Sequence, residues 1–243
     1  MITSVWAFVV VGIVAQLIDG ALGMAYGVSS TSILLSLGVP PAAASASVHT
    51  AEMFTTAVSG FSHWKLGNVD KGLFRKLLIP GVVGGLLGAY VLTALPVQIV
   101  KPLVSCYLLV MGLSLLWRAF RGMTQRNTRL VPLGLLGGFC DAMGGGGWGP
   151  IVTTTLVARG NSPRLTIGSI NAVEFFVTTA ETAMFMATIG LVHWQVIIGL
   201  MLGGMFAAPL AAVVCKRLPT RVLTVMVGIV IIALSIRTIC LAL

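Results

Sequence analysis

Apolar residues fill eight stretches of the chain, at roughly 3–37, 42–62, 74–94, 98–117, 131–158, 165–190, 194–214 and 221–241. Most are close to the ~20 helical residues that cross a bilayer. The pattern predicts an all-α membrane protein. Two stretches differ from the rest. The first carries Gly20, Gly23 and Gly27, and the fifth carries Gly144 to Gly147, Gly149 and Pro150. Glycine at that density disfavours continuous helix, and proline ends a helix or starts a new one. Each of these stretches is therefore expected to be interrupted, either as a re-entrant hairpin or as two short crossings. Irregular backbone at membrane depth survives only inside protein or around a water-filled cavity.

The interrupted stretches are copies of one another. A shift of 122 residues brings Asp19 onto Asp141, Gly23 onto Gly145 and Gly27 onto Gly149. It also aligns Thr31 with Thr153, Pro41 with Pro163, Ser47 with Ser169 and Glu52 with Glu174. Further on the register slips, so that His63-Trp64 corresponds to His193-Trp194. The chain thus divides into two repeats, 1–122 and 123–243, each one interrupted segment plus three plain helices.

Charge decides their relative direction. The net charge is +9, but the basic residues cluster in short loops: Lys65, Lys71, Arg75 and Lys76; Arg118, Arg121, Arg126 and Arg129; Arg159 and Arg164; Lys216, Arg217 and Arg221. That is a positive-inside distribution rather than a nucleic-acid surface. If each interrupted segment crossed once, many of these residues would face outward. If each returns to its starting side, nearly all face the cytoplasm, leaving Lys101 and Arg237 near the outer face. The second arrangement gives inverted repeats with both termini external, an architecture of carriers with a site near the midplane.

Five of the six acidic residues, Asp19, Glu52, Asp141, Glu174 and Glu181, lie inside apolar stretches; Asp70 lies in a loop. An intramembrane carboxylate is costly and points to function. Asp19 and Asp141 stand beside the breaks, suited either to cap a restarting helix or to couple transport. A restarting helix offers N–H groups and a partial positive charge to an anion. Gly27, Ser29, Ser30 and Thr31 follow one break, and Gly149, Thr153 and Thr154 the other. Tyr26 and Trp148 occupy equivalent places and are expected to shape the same cavity. His49 and Glu52 share a helix face, as do Asn171 and Glu174. Carboxyls held away from water, here Glu52, Glu174 and Glu181, can exchange a proton during transport. Trp6, Trp64, Trp117 and Trp194, with His63 and His193, are expected at the interfaces. Cys106, Cys140, Cys215 and Cys240 lack metal spacing and are expected to act as small apolar packing residues. No H-E-x-x-H, P-loop or intramembrane protease pattern occurs, so no enzyme, metal or cofactor is expected.

The duplicated Asp–Gly-rich segments, the S-x-x-x-x-E helices at Ser47–Glu52 and Ser169–Glu174, Gly60 to Trp64 before a basic loop, and P-G-x-x-G-G-x-x-G-A at Pro80 to Ala89 together resemble the TauE/SafE family of sulfite exporters and organosulfur-anion permeases. The resemblance implies a secondary transporter of small sulfur-containing anions such as sulfite, thiosulfate or an organosulfonate, in the bacterial plasma membrane. Proton linkage is the accompanying expectation from the buried acids. The alternative is a cation-coupled carrier or channel whose carboxylates bind the transported ion. The expected partners are a small anionic substrate and the lipid bilayer.

Overall fold

The computed structural model describes residues 5–120, 128–214 and 220–240, and the described residues are helical with no strand. The first stretch is two helices, α1 (Val5–Leu22) and α2 (Tyr26–Ser36). Then come α3 (Pro41–Lys65), α4 (Lys71–Ala94) and α5 (Val97–Ala119). The fifth stretch is α6 (Leu130–Gly144), a π-helical turn (Gly149–Thr153) and α7 (Thr154–Ala158). It is followed by α8 (Pro163–Thr188), α9 (Trp194–Val214) and α10 (Thr220–Cys240). Both interrupted segments break where their glycines predict. The expected chain ends, the Lys216-Arg217 pair, Cys215 and most of the arginine-rich loop between the halves lie outside the described residues.

Polarity is distributed inside out. The exterior presents Ile79, Leu87, Val110, Phe206 and Leu210, while Asp19, Glu52, Asp141, Glu174 and Glu181 are buried. In water such an exterior would be unfavourable; against lipid it costs nothing. Three described helices are long and apolar enough to cross a membrane: Lys71–Ala94, Val97–Trp117 and Trp194–Ala211. Helices α3 and α8 are longer still but carry Glu52, Glu174 and Glu181 among many serines and threonines, which lowers their hydropathy. Trp6, Trp64, Trp117 and Trp194 are exposed. His63 differs from expectation: it is fully buried, with Nδ1 3.1 Å from Asn68 Nδ2. Cys106 and Cys240 are exposed rather than packed inside.

Helix pairs close on glycine. Along α4 and α6, a Cβ on Gly84 would meet the Leu135 carbonyl, and one on Gly88 the Phe139 carbonyl. Along α1 and α9, a Cβ on Gly12 would lie 2.5 Å from the Leu200 carbonyl oxygen, and one on Gly203 would meet that of Val9. Small residues let backbones approach this closely, and between apolar helices in lipid the resulting dispersion contact is a main source of cohesion. The other major pairings are α3 with α8, α5 with α10, α3 with α9 and α4 with α8. With α1/α9 and α4/α6, each of these pairings maps onto itself or another when the two halves are exchanged.

The loops tie one end of the bundle together. Asp70 caps α4 by accepting hydrogen bonds from the Gly72 and Leu73 N–H groups, at 2.7 and 3.1 Å. The Asp70 N–H donates to Ser169 Oγ at 2.8 Å. Arg164 donates to Asn68 Oδ1 and, over 3.0 Å, to the Leu66 carbonyl. Arg159 reaches Thr128 Oγ1 at 3.4 Å, and the Arg221 guanidinium lies 4.4 Å from the Phe120 ring centroid. Residues from four basic loops therefore meet in pairs: 66–70 with 164, 128 with 159, and 120 with 221.

Candidate functional site

The two breaks have matching backbones. Gly23 has φ +66° and Gly145 has φ +65°, a left-handed conformation that glycine adopts without penalty. In each break that glycine donates its N–H to the carbonyl of the aspartate four residues earlier, Asp19 or Asp141. Each aspartate side chain then reaches forward. Asp141 Oδ1 accepts from Gly147 N–H at 2.6 Å and Trp148 N–H at 2.9 Å. The Asp19 carboxylate accepts from the N–H of Tyr26, the residue equivalent to Trp148. Both aspartates thus bridge the chain across a break and satisfy donors that a helix start leaves over. Sequence reasoning missed Ala25, which adopts φ +100° as the residue before α2. No residue type signals this, because alanine rarely visits that region.

The breaks touch each other. A Cβ on Gly27 would lie 2.6 Å from Gly146 Cα and 2.9 Å from the Gly145 carbonyl oxygen. A Cβ on Gly149 would lie 2.5 Å from Met24 Cα and 2.6 Å from the Gly23 carbonyl oxygen. Gly27 and Gly149 are equivalent, as are Gly23 and Gly145, so each repeat makes the same contact on the other. Thr31 Oγ1 adds a 2.6 Å hydrogen bond to the Gly145 carbonyl. Thr153, its equivalent, turns its methyl toward Gly23 and leaves Oγ1 buried without a partner. The Ser30 hydroxyl is buried and unpartnered too, Ser29 is half-buried, and Thr154 Oγ1 bonds the Pro150 carbonyl within its own turn.

Tyr26 and Trp148 are both fully buried and flank the breaks. Tyr26 packs toward α9, donating its hydroxyl to the Leu200 carbonyl at 3.0 Å. Trp148 lies against Gly81 of α4, and its indole N–H points to the Ile170 carbonyl at 3.4 Å. Gln16, one turn before Asp19 in α1, is fully buried with both amide atoms unpartnered. The sequence held that signal, since Gln16 and Asp19 share a face of an apolar helix.

The third constellation joins α3 to α8. His49 Nδ1 donates to the Ser45 carbonyl at 2.8 Å. Its Nε2 lies 3.0 Å from Glu181 Oε2 and 3.6 Å from Asp141 Oδ2. Spacing along the chain paired His49 with Glu52 on one face; across the fold, its ring faces Glu181 and Asp141. The equivalent place in the other repeat is neutral. Asn171 Nδ2 donates to the Ile167 carbonyl at 3.0 Å, and Ser59 Oγ donates to Asn171 Oδ1 at 2.7 Å. Under the shift of 122, His49 matches Asn171 and Glu181 matches Ser59. One repeat carries an ionisable pair where the other carries an amide and a hydroxyl. Glu52 and Glu174 are buried, each with an unpartnered Oε2, and with Asp19, Asp141 and Glu181 they are close enough to influence one another electrostatically.

The family model described as Sulfite exporter TauE/SafE matches residues 8–238. A relative from Bacillus subtilis (strain 168), described as "Probable membrane transporter protein YtnM", is 44% identical over 243 residues, spanning 95% of this chain and 81% of that protein. No solved structure matches the chain.

Proposed function

The chain belongs to the sulfite exporter TauE/SafE family, a family of membrane transporters, and on that premise we propose that it is a secondary carrier for a small sulfur-containing anion. Sulfite, thiosulfate and organosulfonates share the needed chemistry: small size, negative charge and several acceptor oxygens. The observation that carries the reading is the mutual contact of the two breaks, Gly27 on Gly146 and Gly149 on Met24. Equivalent irregular segments meeting inside the bundle are what a two-state gate requires, because either can open while the other stays closed. The unpartnered hydroxyls of Ser30 and Thr153 stand beside that contact and would donate to the anion. Gly27, Ser29, Thr31, Gly149, Thr154, Tyr26, Trp148, His49 and Asn171 would complete its surroundings. Glu52 and Glu174, with Asp19, Asp141 and Glu181, would carry the linked proton or gate the path.

Inverted repeats fit this reading. The contacts His49–Glu181 and Ser59–Asn171 run in opposite senses along α3 and α8, so these equivalent helices are antiparallel. Glycine contacts make α1 parallel to α9 and α4 parallel to α6. With short connections between α3 and α4 and between α8 and α9, α1 then points the same way as α3, and α6 the same way as α8. Each interrupted segment would return to its starting side. The bonds from Arg164 to the 66–70 loop support the same arrangement, with the basic loops cytoplasmic in the plasma membrane and both termini outside.

Purified protein in liposomes tests the function. Sulfite or thiosulfate flux well above that of empty vesicles is expected; flux at the empty-vesicle level for sulfite, thiosulfate and sulfonates alike refutes it. The five buried carboxylates favour a second reading, a cation-coupled carrier or channel. Currents that follow the cation supplied and ignore the anion would select it.

A further inference from the structure

We propose that His49, Asp141 and Glu181 form a binding site for one divalent transition-metal cation of the zinc class. This goes beyond the transport reading and does not depend on which anion is carried. One ligand atom from each residue lies within 4.8 Å of the other two, and all three side chains are buried. His49 Nε2, Asp141 Oδ2 and both Glu181 oxygens have no hydrogen-bond partner.

The tautomer of His49 is fixed from the other side. Ser45 Oγ donates to the Ala142 carbonyl at 2.7 Å, so it has no proton left for the imidazole. A carbonyl can only accept, so Nδ1, 2.8 Å from the Ser45 carbonyl, carries the proton. Nε2 is then left with a lone pair beside two carboxyl groups. Lone pair against ionised carboxylate is repulsive unless a proton or a metal cation sits between them. A histidine that gives its far N–H to a backbone carbonyl while turning the other nitrogen toward carboxylates is the usual arrangement of a metal ligand.

The other two ligands are equally set. Asp141 is held through Oδ1 by two backbone N–H groups, which leaves Oδ2 to coordinate. Glu181 packs on Gly85, where a Cβ would lie 2.6 Å from its Oε1. Tetrahedral zinc with bonds near 2.0–2.1 Å has ligand atoms about 3.3 Å apart. The separations of 3.0 and 3.6 Å from Nε2 bracket that spacing. Although Glu181 Oε2 is at hydrogen-bond distance, it lies off the direction an Nε2–H would take, since Nε2 makes no hydrogen bond. Oxygens bound to an ion on the lone-pair axis would sit to either side of that axis. Charge also favours a dication: a neutral imidazole, two carboxylates and one M²⁺ sum to zero, which a low-dielectric interior tolerates best.

The experiment strips full-length protein with a chelator and titrates it with Co²⁺ and Zn²⁺. One ion per chain is expected, with a visible cobalt ligand-field band. Both should weaken at least about tenfold in His49→Gln and in Glu181→Gln, and persist in Glu52→Gln. Absence of a stoichiometric ion in wild type, or unchanged binding in both variants, overturns the site. Should those variants misfold, X-ray absorption of zinc on wild type decides: an imidazole with oxygen ligands supports the assignment, and a spectrum without imidazole overturns it. Anion flux is a separate measurement, so failure of one reading is distinguishable from failure of the other.

Discussion

At the scale of single residues, Asp141 does two things with two oxygens. Oδ1 satisfies the Gly147 and Trp148 N–H groups, while Oδ2 faces His49. Asparagine retains an acceptor oxygen but not the carboxylate charge. Asp141→Asn is therefore expected to melt close to wild type and to lose most of its flux. Asp141→Ala should lose stability as well, by about 1–3 kcal/mol for each buried N–H left unpaired. Unfolding in detergent beside flux in liposomes reads the two effects separately; equal stability of the two variants would show that Oδ1 does not hold the break. The His49–Glu181 pair admits a sharper comparison, because the other repeat holds its neutral counterpart. His49→Asn combined with Glu181→Ser copies the Asn171–Ser59 bond into the first position. The double variant is expected to be at least as stable as either single variant, since only the double change supplies both the amide and the hydroxyl of that bond. A thermal-unfolding double-mutant cycle measures this coupling, and a cycle with no coupling would contradict it.

At the scale of elements, glycine decides which helices may touch. A Cβ on Gly84 would run into the Leu135 carbonyl, so Gly84→Val should separate α4 from α6 and cost about 1–3 kcal/mol or more. Gly27→Ala should damage function in greater proportion, because the backbone it pushes away is the opposite break. Melting temperature and flux, measured together on both variants, check that ordering. The breaks were legible in the sequence because glycine density and the flanking aspartates have a local cause, visible in a dozen residues. The structure puts Pro41 and Pro163 at the starts of α3 and α8 and Asp70 at the cap of α4, close to the limits that the apolar stretches predicted. What crosses the fold was not legible. Spacing along a helix reports which residues share its face, so His49 was paired with Glu52 and not with Glu181, 132 positions away in the chain (181 − 49). The antiparallel crossing of α3 and α8 is a tertiary fact. Once it is known, the alignment of Glu181 with Ser59 and His49 with Asn171 makes the pairing obligatory. His63 was misread because an adjacent exposed tryptophan suggested an interface, whereas the ring turns inward to Asn68.

At the scale of the molecule, the central question is direction, and the loops give it a measurable form. Leu66 and Ser162 are exposed residues in loops joined by Arg164, while Val192 lies 72% exposed in the connection from α8 to α9. Single cysteines replacing Leu66 and Ser162 are expected to react with a membrane-impermeant thiol reagent only from the cytoplasmic side, and one replacing Val192 only from outside. This labelling requires a background without the exposed Cys106 and Cys240. Opposite labelling of Leu66→Cys and Ser162→Cys would make each interrupted segment a single crossing and remove the inversion. The proposed inversion matters for coupling because it would give Glu52 and Glu174 equivalent places seen from opposite sides of the membrane. A proton bound by one from the cytoplasm would then have its counterpart bound by the other from outside. In liposomes carrying an imposed pH gradient, wild-type flux should respond to the gradient's sign. Glu52→Gln and Glu174→Gln are each expected to blunt that response, and the double variant to abolish it while anion binding persists. A double variant whose flux still follows the proton gradient would remove both glutamates from the coupling path and leave Asp19 as the buried acid outside the proposed metal site.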